Sequence, residues 1–321
     1  MTYHSLSLAF SPSFTKEIII MNNRPLNRRE LLKRGAAGIM AGAAAGTGLN
    51  AQNGTATEIV SNGRIRQSIM GWCFRDSMDA VTLAAHCKEI GLVAMEGISA
   101  EHYPAIMELG LEVSLVSGNH GFAKGPCNPE YHDMVIKGLI EGIDLAKEVG
   151  CQNVITFTGM RFDGMDDDKA AQRCIDTWKE VLPHAEKQGV TLVLEHLNSR
   201  DDTHPMKGHP GYFGDDLDFC VDLIKRVGSD NFKLLFDIYH VSVMNGDIIR
   251  RIRQYHQYIN HYHTAGNPGR GELDDTQEIN YPPILEEIVK TGYTGYVAQE
   301  FIPTWDDPIA ALRHAAELCD V

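Results

Sequence analysis

The chain has 321 residues, of which 43% are hydrophobic and 22% charged, and this is enough for one large core or two modest ones. Its formal net charge is −14, and no basic cluster lies beyond the N-terminal region, which argues against a nucleic-acid partner. The seven cysteines are scattered without a CxxC pair, so the sequence predicts buried thiols rather than a disulfide framework or a zinc–thiolate site.

Residues 1–60 are predicted to form an N-terminal extension that carries an export signal. The segment NRRELLKRG (27–35) is basic, and GAAGIMAGAAAGTGL (35–49) is apolar but too short and too weak for stable membrane insertion. The pair Arg28-Arg29 resembles the twin-arginine signal, which is read by the twin-arginine export machinery. We therefore expect a periplasmic protein, or a cytoplasmic one if the signal is not used. The alternative for this segment is a disordered basic tail.

From residue 61 onwards, short β-rich runs alternate with amphipathic runs of helical spacing. Several predicted helices end in a glycine that leads into the next strand, which is typical of a helix C-cap. Eight strands that alternate with helices over about 260 residues predict a (β/α)8 TIM barrel, whose usual size is about 250 residues, over residues 61–321. The predicted strands are 65–71, 92–97, 111–117, 152–158, 191–196, 233–238, 259–264 and 295–300.

The alternative to a barrel is a doubly wound sheet, which usually carries a glycine-rich phosphate loop after its first strand. Here the first strand leads into GWCFRDSMD (71–79), which contains no GxGxxG motif. The sequence therefore favours the barrel. The predicted helices are 78–91, 131–150, 168–189, 215–228, 282–292 and 307–319.

Four of the predicted strands end in a side chain that can bind a metal ion, namely Glu195, Asp237, His263 and Glu300. Such groups are costly to bury unpaired, and the C-terminal ends of barrel strands meet at one catalytic mouth. Three carboxylates and one imidazole form a mostly hard ligand set. This set suits one divalent ion, Mg²⁺ or Mn²⁺, with Co²⁺ as a third candidate. The sequence thus predicts a metal-centred active site on the fifth to eighth strands.

The same residues indicate a class of reaction. A metal that binds a hydroxyl and a neighbouring carbonyl oxygen acidifies the carbon-bound proton between them. Glu195 and Glu300 would then move that proton as a catalytic acid/base pair. This chemistry predicts isomerisation or epimerisation of a small hydroxy-carbonyl compound. Side chains in nearby loops are predicted to contact the substrate, and these are His120, His240, Arg270 and Glu272.

Several stretches of the chain resemble the hydroxypyruvate isomerase family within the xylose isomerase-like TIM barrels. They are EHLNSR (195–200), HPGY (209–212), DIYH (237–240), HTAGNPGRGELDDTQEINY (263–281) and GYTGYVAQEFIP (292–303), and the likeness spans residues 65–320. The resemblance implies interconversion of hydroxypyruvate and tartronate semialdehyde through an enediolate. It implies a metal on the four strand-end residues, Glu195 and Glu300 as the acid/base pair, and His240 and Arg270 near the substrate.

Two departures from that family keep alternatives open. Position 263 is His, where bacterial isomerases of this kind carry Gln. A histidine at this position resembles the ketose 3-epimerases, which share the barrel and the two-glutamate chemistry. An export signal is also unusual for an isomerase of central metabolism. The alternatives are a ketose 3-epimerase or another sugar-processing enzyme of the same barrel, and, outside enzymes, an exported sugar-binding barrel. The expected partner is a small molecule, and assembly into a homo-oligomer stays open.

Overall fold

Parallel strands form the centre of the protein. The computed structural model describes residues 59–321, so the predicted extension over residues 1–60, with its twin-arginine signal, lies outside the described residues apart from Ile59 and Val60. The strands are β1 (Arg66–Met70), β2 (Ala94–Glu96), β3 (Glu112–Val113), β4 (Val116–Ser117), β5 (Asn153–Thr156), β6 (Thr191–Glu195), β7 (Phe232–Asp237), β8 (Ile259–Thr264) and β9 (Tyr296–Gln299).

The ring of strands closes through the third strand of the barrel, which is built in two pieces. The sheet order is β3-β2-β1-β9-β8-β7-β6-β5-β4, and every neighbouring pair is parallel. The two ends of this order, β3 and β4, are separated along the chain by Ser114 and Leu115 alone. One extended stretch, residues 112–117, therefore pairs with β2 on one side and β5 on the other. This arrangement confirms the predicted (β/α)8 barrel.

Helices connect the strands, and their ends follow local sequence signals. Asp79 and Asp307 accept hydrogen bonds from the first free backbone N–H groups of the helices they precede. Gly91 and Gly150 end helices at φ values of 100° and 76°, a left-handed conformation that favours glycine. The helices are α1 (Ala80–Ile90), α2 (Tyr103–Glu108), α3 (His132–Val149), α4 (Asp167–Gln188), α5 (Leu217–Val227), α6 (Ile238–Met244), α7 (Ile248–Tyr255), α8 (Tyr281–Lys290) and α9 (Pro308–Cys319).

Within residues 59–321, three α-helices lie outside the predicted set: α2, α6 and α7. Helix α2 has only six residues, too few to establish a helical period. Helix α6 begins directly after β7, because Asp237 both ends the strand and caps the helix by accepting a hydrogen bond from the His240 N–H at 3.0 Å. No loop separates the strand from the helix, so the sequence pattern shows one apolar segment and gives no sign of a new helix.

A small apolar layer lies inside the ring, separate from the main core between strands and helices. It is formed by Leu115, Val193 and Leu235. Because side chains alternate along a strand, Val193 shares the inward face of β6 with Glu195, and Leu235 shares that of β7 with Asp237. The polar ends of these two strands therefore stand directly above an apolar floor.

The described part of the chain, residues 59–321, contains no helix that combines the length and the apolar character needed to cross a bilayer. All seven cysteines lie in this part, and all are buried and unpaired. Burial raises the pKa of the Cys127 thiol to about 11 and that of Cys151 to about 12. Since the thiolate is the reactive form, these side chains are expected to be chemically inert in the folded protein.

We expect a thiol reagent such as Ellman's reagent to label almost none of the seven cysteines of the native protein. Full labelling should follow denaturation in guanidinium chloride, because unfolding exposes the thiols and returns their pKa to the usual range. The measurement is absorbance of the released thiolate over time, with an intact mass to count free thiols. Rapid labelling of several thiols in the native state would contradict the buried placement.

Candidate active site

Four strand ends bring their ligand atoms together at the C-terminal mouth of the barrel. Glu195 ends β6, Asp237 ends β7, His263 lies one residue before the end of β8, and Glu300 directly follows β9. One ligand atom of each lies within 4.8 Å of the others, and all four side chains are buried. Asp237 and His263 are also partners in the register of β7 and β8. The structure thus assembles all four residues of the predicted metal site.

Three atoms of this cluster lack a well-aligned hydrogen bond, although one of them, Glu300 Oε2, forms an ion pair with Arg270 Nη2 at 2.7 Å. Glu195 Oε1, His263 Nδ1 and Glu300 Oε2 are buried and have no hydrogen-bond partner of acceptable geometry among the described residues. Leaving such an atom unpaired costs about 1–3 kcal/mol, and more for a charged group. His263 Nδ1 lies 2.6 Å from Glu300 Oε2 and 3.5 Å from Glu195 Oε1. Two carboxylates and an imidazole that converge at these distances fit a divalent cation of the hard or borderline kind, which would take the place of a proton on His263 Nδ1.

The imidazole of His263 is oriented from behind by Glu96, the last residue of β2. His263 Nε2 lies 2.8 Å from Glu96 Oε1, and both side chains are fully buried. Burial alone would raise the pKa of Glu96, but His261 and His263 lower it to about 2. An ionised Glu96 can only accept hydrogen bonds, so it favours a proton on Nε2 and leaves Nδ1 facing the cluster.

Glu96 is a residue of the site region that the sequence analysis does not single out. The sequence pattern that marks the predicted ligands also marks Glu96, because Glu96 lies at the end of a predicted strand, LVAMEG (92–97). His261, two residues before His263 on β8, is also absent from the predicted set. Its Nε2 lies 2.9 Å from Glu96 Oε2. Together these residues place a second buried polar cluster beneath the four ligands.

Asp237 lies at the centre of three interactions. Its Oδ1 accepts the hydrogen bond from the His240 N–H, and its Oδ2 lies 3.4 Å from Arg270 Nη2 and 3.5 Å from His240 Nε2. Burial raises the pKa of Asp237 to about 7, since the charged form loses its hydration. A carboxyl in this position needs a nearby positive charge to remain ionised at neutral pH.

The two predicted catalytic glutamates lie in different electrostatic surroundings. Burial and the charge of Glu300 raise the pKa of Glu195, although His263 opposes the shift. Burial would also raise the pKa of Glu300, but the positive charges of Arg270 and His263 lower it well below its usual range. Groups whose pKa values are pushed apart in this way are suited to acid and base roles.

Arg270 supplies a buried positive charge next to Glu300. Its Nη2 lies 2.7 Å from Glu300 Oε2, and its Nη1 donates to the backbone oxygen of Met206 at 2.6 Å. The guanidinium carbon lies 5.6 Å from the centre of the Trp72 ring and 5.7 Å from that of Tyr239, within the range of cation–π contact. The Nε atom has no hydrogen-bond partner within residues 59–321. The Nε–H of Arg270 is therefore available as a donor to a ligand.

His240 has a defined tautomer. Its Nδ1 accepts a hydrogen bond from the backbone N–H of Asn198 at 3.2 Å, and because that group can only donate, Nδ1 carries no proton. Burial lowers the pKa of His240 well below its usual value, so the ring is neutral and its proton lies on Nε2. That Nε2–H is buried and unpaired within the described chain. This Nε2–H lies near Asp237 at the barrel mouth, where it can donate a hydrogen bond to a ligand.

His120, a predicted substrate residue, uses both ring nitrogens within the protein. Its Nδ1 lies 3.3 Å from the backbone oxygen of Lys124 and must donate, and its Nε2 lies 3.1 Å from Thr156 Oγ1 and accepts. Burial lowers the pKa of His120 to about 4, so the ring is neutral. These contacts shape the loop after the third strand, and substrate binding by His120 stays a prediction.

The carboxylate of Glu272, the fourth predicted substrate residue, is hydrogen-bonded to the loop that follows β9. It accepts hydrogen bonds from the Thr304 N–H, from Thr304 Oγ1 at 2.8 Å and from the Trp305 N–H at 2.9 Å. Its contacts join two mouth loops. A direct role of Glu272 in substrate binding stays a prediction.

The chain belongs to the family of xylose isomerase-like TIM barrels, whose family model matches residues 78–320. The 2-oxo-tetronate isomerase of Cupriavidus necator is 36% identical over 142 residues, which cover 43% of this chain and 51% of the relative. The hydroxypyruvate isomerase of Escherichia coli K12 is 26% identical over 200 residues, which cover 60% of this chain and 73% of that protein. The first of these matches thus spans about half the length of the relative.

A solved structure of L-ribulose 3-epimerase has the same fold. It superposes with a TM-score of 0.64 over 78% of this chain and 92% of that one, at 19% sequence identity. At this identity the likeness concerns the fold alone.

We expect the purified protein to bind one Mn²⁺ per chain, and Asp237→Asn to weaken that binding by more than tenfold. Asparagine keeps the helix-capping oxygen but loses the negative charge, so α6 should still form. Isothermal titration with Mn²⁺ measures the affinity. The matched control is Asp307→Asn, which changes the capping residue of α9 in the same way. Equal Mn²⁺ affinity in both variants would remove Asp237 from the metal site.

Proposed function

We propose that this protein is a metal-dependent isomerase that interconverts hydroxypyruvate and tartronate semialdehyde, or a close hydroxy-carbonyl acid, through an enediolate. The observation that carries the proposal is a pair of buried glutamates, Glu195 and Glu300, beside the buried cation Arg270. The glutamates offer an acid/base pair, and the guanidinium offers a partner for a substrate carboxylate. The two curated relatives support this choice, since they are named for isomerisation of 2-oxo-tetronate and of hydroxypyruvate.

The cofactor in this proposal is one divalent ion, Mg²⁺ or Mn²⁺, held by Glu195, Asp237, His263 and Glu300. The unpaired lone pairs of this cluster support it. When bound, the ion would act as a Lewis acid that polarises the substrate carbonyl and so acidifies the neighbouring C–H bond.

The proton transfers then belong to the protein's own side chains. One glutamate removes a proton from C3 of hydroxypyruvate, and the electron pair of that bond forms the C2–C3 double bond of the enediolate. The other glutamate delivers a proton to C2, and the hydroxyl proton passes from the C3 oxygen to the C2 oxygen. No atom is gained or lost. In the reverse direction Glu195 and Glu300 exchange their roles.

The charged and polar groups around the pair orient the substrate in this scheme. Arg270 directs its unpaired Nε–H at the substrate carboxylate, and His240 offers its Nε2–H to a substrate oxygen. Burial strengthens both interactions, because competing water is absent and the local dielectric is low.

A ketose 3-epimerase is the second candidate, and His263 is the observation that favours it. The proton chemistry is the same for both reactions, since two glutamates exchange a proton at carbon next to a carbonyl. The substrates differ in charge, because a ketose carries no carboxylate for Arg270. Arg270 therefore separates the two candidates.

Replacement of Glu300 by glutamine should lower kcat for hydroxypyruvate by about 10²- to 10⁴-fold, the usual contribution of a general acid or base. The assay follows isomerisation and proton exchange from substrate into deuterated water by NMR, at Mn²⁺ concentrations shown to saturate each protein. The matched control is Glu317→Gln on the exposed face of α9, which should leave the rate unchanged. Undiminished exchange with Glu300→Gln would eliminate Glu300 from proton transfer.

Replacement of Arg270 by methionine should raise KM for hydroxypyruvate by about 10- to 100-fold, because a charge-assisted hydrogen bond worth about 1.5–3 kcal/mol is lost. KM for a neutral ketose such as D-ribulose should change much less. Arg270→Lys keeps the charge without the planar fork and should give an intermediate KM. Circular dichroism checks the fold of each variant. An equal loss for acidic and neutral substrates would show that Arg270 is no carboxylate partner.

A further inference from the structure

A chain of hydrogen bonds with a single direction runs through the interior of the barrel to His263. Ser68 Oγ lies 2.6 Å from Ser114 Oγ, and Ser114 Oγ donates to Glu96 Oε2 at 2.5 Å. Because the one proton of the Ser114 hydroxyl goes to Glu96, Ser68 must be the donor to Ser114. His261 Nε2 and His263 Nε2 reach the two oxygens of the same carboxylate. Glu96 therefore accepts from three donors.

The donor count determines the tautomer of His263. An ionised carboxylate has acceptor sites and no proton to give, so the 2.8 Å contact requires a proton on His263 Nε2. Burial would lower the pKa of His263, but Glu300, Glu195 and Glu96 raise it well above its usual value, so without an ion Nδ1 carries a second proton. An ion that binds at Nδ1 displaces that proton, and the proton on Nε2 stays in its hydrogen bond to Glu96. That Nδ1 is the atom that faces Glu195 and Glu300.

The two sides of His263 differ in whether their polar atoms are satisfied. On the inner side, both oxygens of Glu96 and the Nε2 atoms of His261 and His263 have hydrogen-bond partners. On the outer side, His263 Nδ1, Glu195 Oε1 and Glu300 Oε2 have none within residues 59–321. A cation would be shared by all three outer atoms, of which Glu300 Oε2 also forms an ion pair with Arg270. In the inner cluster both oxygens of the Glu96 carboxylate are paired, and His261 Nδ1, on the far side of that ring, is the atom without a hydrogen bond among the described residues. The inner cluster is therefore a support for the outer one.

We propose that Glu96 is a positioning residue for the metal site, which holds His263 in the Nε2–H tautomer so that Nδ1 binds the ion. Ser114, Ser68 and His261 hold Glu96 in turn. This inference rests on the proposed function for its metal, and it adds a residue that does not touch the ion. An anion behind a ligand histidine both orients the ring and makes the ligand nitrogen a better donor.

Glu96 can hold the ring of His263 firmly because both side chains lie in the interior of the barrel. Glu96, His261 and His263 are each fully buried, as are Ser68 and Ser114. Bulk water is thus excluded from the carboxylate, and solvent cannot take over the hydrogen bond when the carboxylate is removed. A loss of Glu96 should therefore be felt at the ion rather than repaired locally.

The test is the Mn²⁺ affinity of Glu96→Gln, measured by isothermal titration and by the electron paramagnetic resonance signal of free Mn²⁺. The substituted amide offers one acceptor oxygen where three donors converge, and it carries no charge. We expect the Kd for Mn²⁺ to rise by about 10- to 100-fold, the usual effect of removing such a partner. The matched control is Glu112→Gln, which changes an exposed glutamate of β3 that pairs with Arg66; its Kd should equal that of the wild type.

A second variant keeps the carboxylate and weakens only its support. Ser114→Ala removes one of the three donors to Glu96, so the Kd for Mn²⁺ should rise less than in Glu96→Gln. Saturating Mn²⁺ should restore kcat of both variants to within about threefold of the wild type, since the proton-transfer residues are unchanged and only occupancy is lost. A general loss of structure would not be rescued by the metal. Melting temperatures of the metal-free proteins show whether each variant folds.

The outcomes separate this inference from the proposed function. Wild-type Mn²⁺ affinity in folded Glu96→Gln overturns the positioning role, whatever the enzyme catalyses. A wild type that binds two Mn²⁺ ions, with Glu96→Gln losing one and keeping the other at full affinity, also overturns it and makes the inner cluster a second metal site. Weakened Mn²⁺ binding in a protein that isomerises no hydroxy-carbonyl compound supports the positioning role and refutes the function.

Discussion

Buried negative charge at the mouth of the barrel is the constraint on which the rest of the structure depends. The carboxylates of Glu195, Asp237 and Glu300 lie with His263 in a cluster whose ligand atoms are within 4.8 Å of one another. Burial and mutual repulsion both disfavour the ionised state of such groups. Arg270 contributes one permanent positive charge against three carboxylates. The charges of the cluster balance when a divalent cation joins it, and this balance links the fold to its chemistry.

The barrel can hold this concentration of charge because each ligand lies at the end of a strand, or directly after it, and each of these strands pairs with a neighbour on both sides. Alternation along β6 and β7 turns Val193 and Leu235 inward beneath Glu195 and Asp237. A register shift of one residue would exchange the inward and outward faces and destroy the site. The apolar layer lies beneath Glu195 and Asp237, and Glu96 holds the ring of His263.

The sequence predicts the ligands because each can be read from its own strand, and the geometry of a barrel brings strand ends together. Glu96 follows the same rule, yet its importance depends on His263, which is 167 positions away in the chain. Glu272 is the opposite case. It lies in a loop that is predicted to contact the substrate, but its carboxylate accepts hydrogen bonds from Thr304 and Trp305. Partners that are distant in sequence decide whether a polar residue is available, and no local pattern contains them.

The hydrogen bond from His263 to Glu96 also bears on the choice of substrate. At position 263, a histidine presents an N–H to Glu96 and a lone pair to the ion. A glutamine carries an amide N–H and a carbonyl oxygen, so it too has a donor for Glu96 and a ligand atom for an ion. His263 favours the epimerase by likeness, but it does not by itself separate an acid from a neutral sugar. Discrimination between an acid and a neutral sugar falls instead to Arg270, whose buried charge and unpaired Nε–H match a carboxylate.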